Sequence, residues 1–255
     1  MVSIDWLPEA AFQYFLIFAR VGTMLMLIPA LGEGMIPARM RLSFALMFSL
    51  VLFPLLRAGL PGLPGEVMGI LALLFHELLI GLILGAIARV FVMSAQVAGS
   101  IIAFQIGLSV AQAADPTSEG MQGAVIGSFL SFLGITLIFA TDLHHVGLAG
   151  IYESYEIFSP TAEIMVPDAA EMIIRAVAGA FTVGVQMSAP FIVFGLVFYL
   201  GAGILGRLMP QLQVFFVLMP ANIGVGLILF ALLLTMMMGW YLASYENALA
   251  MLRGA

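Results

Sequence analysis

Apolar residues run through the chain in long blocks. Six blocks stand out, at about 10–29, 39–60, 67–103, 124–150, 171–205 and 212–249. Each is apolar on all faces and long enough to approach or exceed the ~20 residues a helix needs to cross a bilayer. A transmembrane β-barrel would instead alternate apolar and polar residues in short segments. The breaks fall at "PALGEGMIP" (29–37), "GLPGLPGE" (59–66), "FQIGLSVAQAADPTSEGMQG" (104–123), "SPTAEIMVPD" (159–168) and "GRLMPQ" (206–211). Proline fixes φ and glycine permits positive φ, so these clusters read as turns. The pattern predicts an all-α integral membrane protein of about six long, kinked apolar helices. An irregular polar segment separates the third from the fourth.

The third, fifth and sixth runs are longer than one crossing requires. At ~1.5 Å per residue they exceed ~45 Å, against a hydrocarbon core of ~30 Å. Pro190 and Pro220 fall inside the last two runs, where each removes a backbone hydrogen bond and predicts a kink. Apolar helix extending beyond lipid needs protein to cover it. The lengths therefore predict a subunit of a larger assembly.

Composition agrees. Of 255 residues, 63% are hydrophobic and only 9% charged, where soluble domains carry ~25% charged residues. The absence of cysteine excludes disulfides and thiolate metal sites. A net charge of −6 gives no footing for nucleic acid. All eight basic residues are arginine. Arg39, Arg41 and Arg207 lie between runs and Arg89 late in the third, whereas 151–171 holds five acidic residues and no basic one. The positive-inside rule then places the arginine loops in the cytoplasm and both termini outside, with Arg57 and Arg253 voting the other way. "MVSIDWLPEAAF" has acids where a signal peptide carries positive charge, so it is expected to be retained.

Few motifs carry chemistry. "GAGILG" (201–206) matches GxGxxG without a βαβ unit, and close helix packing at small residues explains it better. "HELLI" (76–80) begins like an HExxH zinc helix, but Ile80 replaces the second histidine. "GLILG" (81–85) reads as a close helix–helix contact. "TMMMG" (235–239) suggests a soft gasket, although ordinary packing methionine is the commoner use of such residues. No complete catalytic set is present, and no cofactor or metal is called for. Arg20, His76, Glu77, Arg89 and Asp142 interrupt apolar runs. Such residues either line a polar pathway or pair internally. Glu77 and Arg89 are ~18 Å apart by helical rise and do not pair directly.

The stretch 104–123 is too polar for lipid, yet no basic residue occurs between Arg89 and Arg175. A plain cytoplasmic loop would be expected to carry arginine. Irregular backbone at membrane depth requires surrounding protein or a water-filled cavity. Such an enclosed segment is one reading; a short exposed turn is the other. Asp115-Pro116 reads as a helix start, with Asp115 capping and Pro116 in the first turn.

Four stretches together resemble the flagellar biosynthetic protein FliR family, whose virulence counterparts are SctT-type components of type III secretion. They are "RVGTMLMLIPALGEGMIPARMRL" (20–42), "HELLIGLILG" (76–85) leading to Arg89, "FQIGLSVAQAADP" (104–116) and "GRLMPQLQVFFVLMP" (206–220). The resemblance implies a non-enzymatic export-gate subunit in the bacterial inner membrane, at the flagellar basal body. FliP-like and FliQ-like subunits would complete the gate, FlhB-like and FlhA-like proteins would associate with it, and unfolded flagellar proteins would pass through. It implies a FliP-like part at 1–169 and a FliQ-like helical hairpin at 170–255. It also implies a plug at about 105–122, with Gln105, Gly107, Gln112, Asp115, Pro116, Glu119 and Gln122 as plug or gate residues. Arg20, Glu77, Arg89, Asp142, Arg207, Pro210 and Gln211 are the candidate intramembrane polar or inter-subunit residues. The competing class is a small-solute secondary transporter with Glu77 and Arg89 at a midplane site.

Overall fold

Proline and aspartate set where the helices stop. The computed structural model describes residues 6–29, 31–32, 36–108, 124–162, 166–209 and 214–252. Helix α1 (Leu7–Leu27) has proline in its first turn and Glu9 near its positive end. It stops because Ile28 precedes Pro29, and a residue before proline avoids the α region; Ile28 sits at φ −56°, ψ 127°. Helix α2 (Ala38–Leu56) begins after an extended Pro37 and passes into a 3₁₀ turn at Arg57–Gly59. Then come α3 (Val67–Gln105), α4 (Ala124–Ala140), α5 (Leu143–Ile157), α6 (Val166–Leu208) and α7 (Val214–Leu252). All regular structure among the described residues is helical. Five helices are long and apolar enough to cross a bilayer, or six if α4 and α5 count as one broken span.

The run at 124–150 is not the single helix its hydropathy predicts. Asp142 adopts the left-handed conformation at φ 59°, ψ 12°, ending one helix and starting the next. Aspartate tolerates that region better than most side chains, which hydropathy cannot register. By contrast Pro190 and Pro220 lie inside α6 and α7 without ending either helix.

The described chain forms two compact units. The first draws on residues 1–90, 138–177 and 245–255, and the second on 91–137 and 178–244. In the first, α1 and α2 pack as an antiparallel pair, with the Tyr14 hydroxyl donating to the Leu46 carbonyl at 3.0 Å and its ring edge-on to Phe53. Helices α1 and α3 run parallel. Gly81 lies against the Arg20 backbone and Thr23, and Gly85 against Leu27 and Met24. A Cβ at either glycine would collide with those atoms, so the "GLILG" contact expected above is present. With Glu77 one turn earlier, these residues form one stripe along α3.

In the second unit, the later half of α3 runs parallel to α6: Phe91 meets Gly179, Val97 meets Gly184, and Gln105 meets Gly195. Helices α6 and α7 form the expected C-terminal hairpin, joined by Phe191 and Phe230 at 6.2 Å between ring centroids. Of the methionine triplet, Met237 and Met238 are buried packing residues and Met236 is exposed. Gly201, Gly203 and Gly206 have nothing within 4 Å of where a Cβ would stand. The close packing expected at "GAGILG" is thus absent among the described residues of this chain.

Gly81→Leu is expected to force α1 from α3 and lower stability by about 1–3 kcal/mol, whereas Gly203→Leu leaves stability unchanged. Thermal unfolding of the purified variants in detergent measures both. Equal midpoints for Gly81→Leu and the parent would contradict the α1–α3 packing.

Candidate functional site

Arg20 and Glu77 are the most deeply buried charges described, both with no solvent exposure. Burying an ion costs several kcal/mol unless geometry and hydrogen bonding offset it. Both conditions are met here. Arg20 Nε donates to Glu77 Oε2 at 2.6 Å, and Nη2 donates to Oε1 at 2.9 Å. This bidentate form is the strongest geometry available to the pair. Arg20 Nη1 donates to the Ser154 carbonyl at 3.0 Å and Nη2 to the Phe158 carbonyl at 2.8 Å. These carbonyls belong to the C-terminal end of α5, where the helix dipole is negative; that of Ser154 also accepts the closing helical bond from the Phe158 N–H at 2.9 Å. The guanidinium also lies 3.9 Å from the centroid of the Tyr155 ring, a cation–π contact strengthened by the lack of water. One side chain thus ties α1 to α3 and closes the end of α5.

His76 extends the cluster. Its Nε2 lies 2.8 Å from the Ala162 carbonyl and its Nδ1 lies 3.7 Å from Glu77 Oε1. The two polar residues of "HELLI" are therefore engaged with backbone and with arginine, and no zinc helix forms. Of the two readings of the intramembrane charges, internal pairing describes Arg20 and Glu77. Arg89 stands half-buried farther along α3, and Asp142 is exposed in the break between α4 and α5. Arg207 is exposed in the last turn of α6, where its charge suits the helix dipole. Pro210 and Gln211 lie outside the described residues.

In the second unit the polar segment begins from a fixed neck. Asn222 Nδ2 donates to the Gln105 carbonyl at 3.3 Å and contacts the Tyr199 hydroxyl at 3.4 Å. Ile106 is fully buried against Gly226. Gly107 adopts φ 78°, and a Cβ there would stand 3.0 Å from Asn222 Nδ2. Both the left-handed backbone and the close approach require glycine. Gln105 and Gly107 are thereby placed at this neck, while Gln112, Asp115, Pro116, Glu119 and Gln122 lie outside the described residues.

Sequence reading missed Ser154, Tyr155 and Phe158 because two of them act through backbone carbonyls, which no side-chain pattern reveals. Asn222 had a signal: it is the one amide in the otherwise apolar stretch 214–234. Asp142, His144 and His145 bring potential ligand atoms within 4.8 Å of one another. Asp142 and His145 are largely open to solvent, and the cluster sits at the positive end of α5, which disfavours a cation. It is not assigned as a metal site.

Glu77→Ala is expected to strand the Arg20 charge and destabilise the chain by about 3–5 kcal/mol. The double variant Arg20→Met/Glu77→Leu, which buries no charge, should recover part of that loss. Yield of monodisperse protein and thermal midpoint check both. A double variant no better than Glu77→Ala would contradict the cost assigned to the stranded charge.

Comparison with known proteins places this architecture. Residues 11–248 match the family model described as Bacterial export proteins, family 1. The flagellar biosynthetic protein FliR of Caulobacter vibrioides is 47% identical over 228 residues, covering 88% of this chain and 90% of that protein. FliR of Bacillus subtilis is 32% identical, covering 89% and 86% respectively. FliR of Escherichia coli is 28% identical, covering 87% and 84%. With a match across nearly all of the described helices, the chain belongs to family 1 of the bacterial export proteins, the flagellar biosynthetic protein FliR family.

Proposed function

We propose that this protein is a non-enzymatic export-gate subunit of the flagellar type III secretion apparatus in the bacterial inner membrane. Family membership supports the export role, since relatives carrying the flagellar name match across most of their length. The bare length of the C-terminal helices is the observation that supports assembly. The most apolar windows of α6 and α7 are each only 11% buried, against 50% for α1. By rise alone, α3, α6 and α7 measure about 58–65 Å, roughly twice the hydrocarbon thickness. Lipid cannot cover helices of that length, so other apolar protein must.

In this reading FliP-like and FliQ-like subunits cover those surfaces and complete a channel for unfolded flagellar proteins, with FlhB-like and FlhA-like proteins associated. Residues 1–169 act as the FliP-like part and 170–255 as the FliQ-like hairpin. The segment 105–122 serves as the plug, beginning from the neck at Gln105 and Gly107. Arg207 and Gln211 stand at an inter-subunit turn. Glu77 is held by Arg20, which weakens the transporter alternative that needs this carboxylate for a substrate.

Affinity purification of the tagged chain, expressed with its export partners, tests the assembly. Co-recovery of multi-copy helical membrane subunits is expected, and a stable lone protein or simple dimer would contradict it. In the recovered complex, deletion of 108–120 should raise ion leak several-fold; unchanged leak with normal assembly would remove the plug assignment.

A further inference from the structure

Helices α1, α2 and α3 leave an open apolar groove. It follows α1 from Phe18 to Met26 and is lined by Leu42 and Ala45 of α2 and by Leu78 and Leu82 of α3. That course along α1 is about 12 Å by helical rise, enough for a large part of an acyl chain. The hydroxyl of Thr23, the polar side chain in the lining, is turned back onto the Ala19 and Arg20 carbonyls. The groove therefore offers an occupant no polar partner along its length.

One end of the groove is different. Arg39 precedes Leu42 by three residues and Arg41 precedes Ala45 by four, so each arginine shares a helical face with a lining residue one turn away. Side chains on a helix slant toward its N-terminus, which carries both guanidinium groups past the end of the apolar lining. Arg41 Nη1 donates to the Gly32 carbonyl at 3.2 Å, but its Nε is shut off from solvent with no partner among the described residues. Arg39 is exposed, with no ion pair among the described residues. The same place holds the N-terminus of α2, which has no side-chain cap and presents the positive end of the helix dipole. Glu33, in the preceding turn, lies outside the described residues; across 28–42 the sequence carries two arginines against that one acid.

An apolar slot that ends in two cations and a helix N-terminus matches an amphiphile with an anionic head. We propose that this groove binds one anionic glycerophospholipid, an acyl chain lying along α1 and the phosphate held by Arg39 and Arg41. The charge at one end favours lipid over an apolar partner helix, which would gain nothing from it. Basic residues near the membrane surface attract anionic headgroups, and each contributes enough to change retention about fivefold.

The test uses the full chain in detergent with equal phosphatidylglycerol and phosphatidylcholine of matched acyl chains, bound lipid being counted by native mass spectrometry. Phosphatidylglycerol should be retained at least about fivefold over phosphatidylcholine. Arg39→Gln/Arg41→Gln should bring that ratio close to one, whereas Arg57→Gln, at the other end of α2, should leave it unchanged. Gly22→Leu, which fills the groove where a Cβ meets only the Phe18 ring in ordinary contact, should reduce retention of both lipids. Equal retention of the two lipids by the parent chain would overturn the proposal, as would a ratio unaffected by the double glutamine variant. Gly22→Leu that lowered recovery of partner subunits while leaving lipid retention intact would assign the groove to protein and likewise overturn it.

Discussion

A single guanidinium, that of Arg20, sets the geometry of the first compact unit. It is charged in a place where charge is costly, and it is held there by a bidentate carboxylate, two helix-end carbonyls and an aromatic face. Each partner comes with a constraint. Glu77 fixes the register of α3 against α1, and the glycine stripe at Gly81 and Gly85 lets the two backbones close on one another. The Ser154 and Phe158 carbonyls tie the C-terminal end of α5 to α1. Removing any one partner leaves polar groups stranded without water, so the arrangement behaves as a unit rather than as separable contacts. Such a node specifies one packing out of the many that uniformly apolar helices would otherwise allow.

That specificity matters because the rest of the surface is so permissive. Leucine, isoleucine, valine, phenylalanine and methionine cover most of α6 and α7, and hydrophobic attraction is non-directional. Inside a membrane it does not drive helices together at all, since lipid tails are equally apolar. Order in the second unit comes instead from small residues that admit close contact and from the few polar groups. Gly195 receives the Gln105 side chain, and Asn222 holds the Gln105 carbonyl where α3 gives way to the polar segment. Long helices whose surfaces remain bare are those of a subunit shaped for neighbours, in keeping with a family of export proteins.

Much of this was legible in the sequence. Hydropathy alone marks the all-α membrane class and, to within a few residues, most helix boundaries, because backbone in lipid must be satisfied within each helix. The run at 124–150 is where it failed: one aspartate in a left-handed conformation divides it, and backbone conformation leaves no trace in an apolar average. Arg20 and Glu77 were recognisable as groups in need of partners, but their pairing across 57 residues depends on packing that no local pattern encodes. The acceptors on α5 were invisible because they are carbonyls. "GAGILG" was read as close helix packing at small residues, and the described residues of this chain bring no partner to them.

The most direct test of the Arg20 node is a charge swap. A simple ion pair would survive Arg20→Glu/Glu77→Arg, since both charges remain and face one another. The arrangement described here would not survive, because a carboxylate at position 20 would confront the carbonyls of Ser154 and Phe158 and the negative end of the α5 dipole. Thermal unfolding of the swapped chain should show a large loss of stability, comparable to that of a stranded single charge. A swapped chain as stable as the parent would contradict the account.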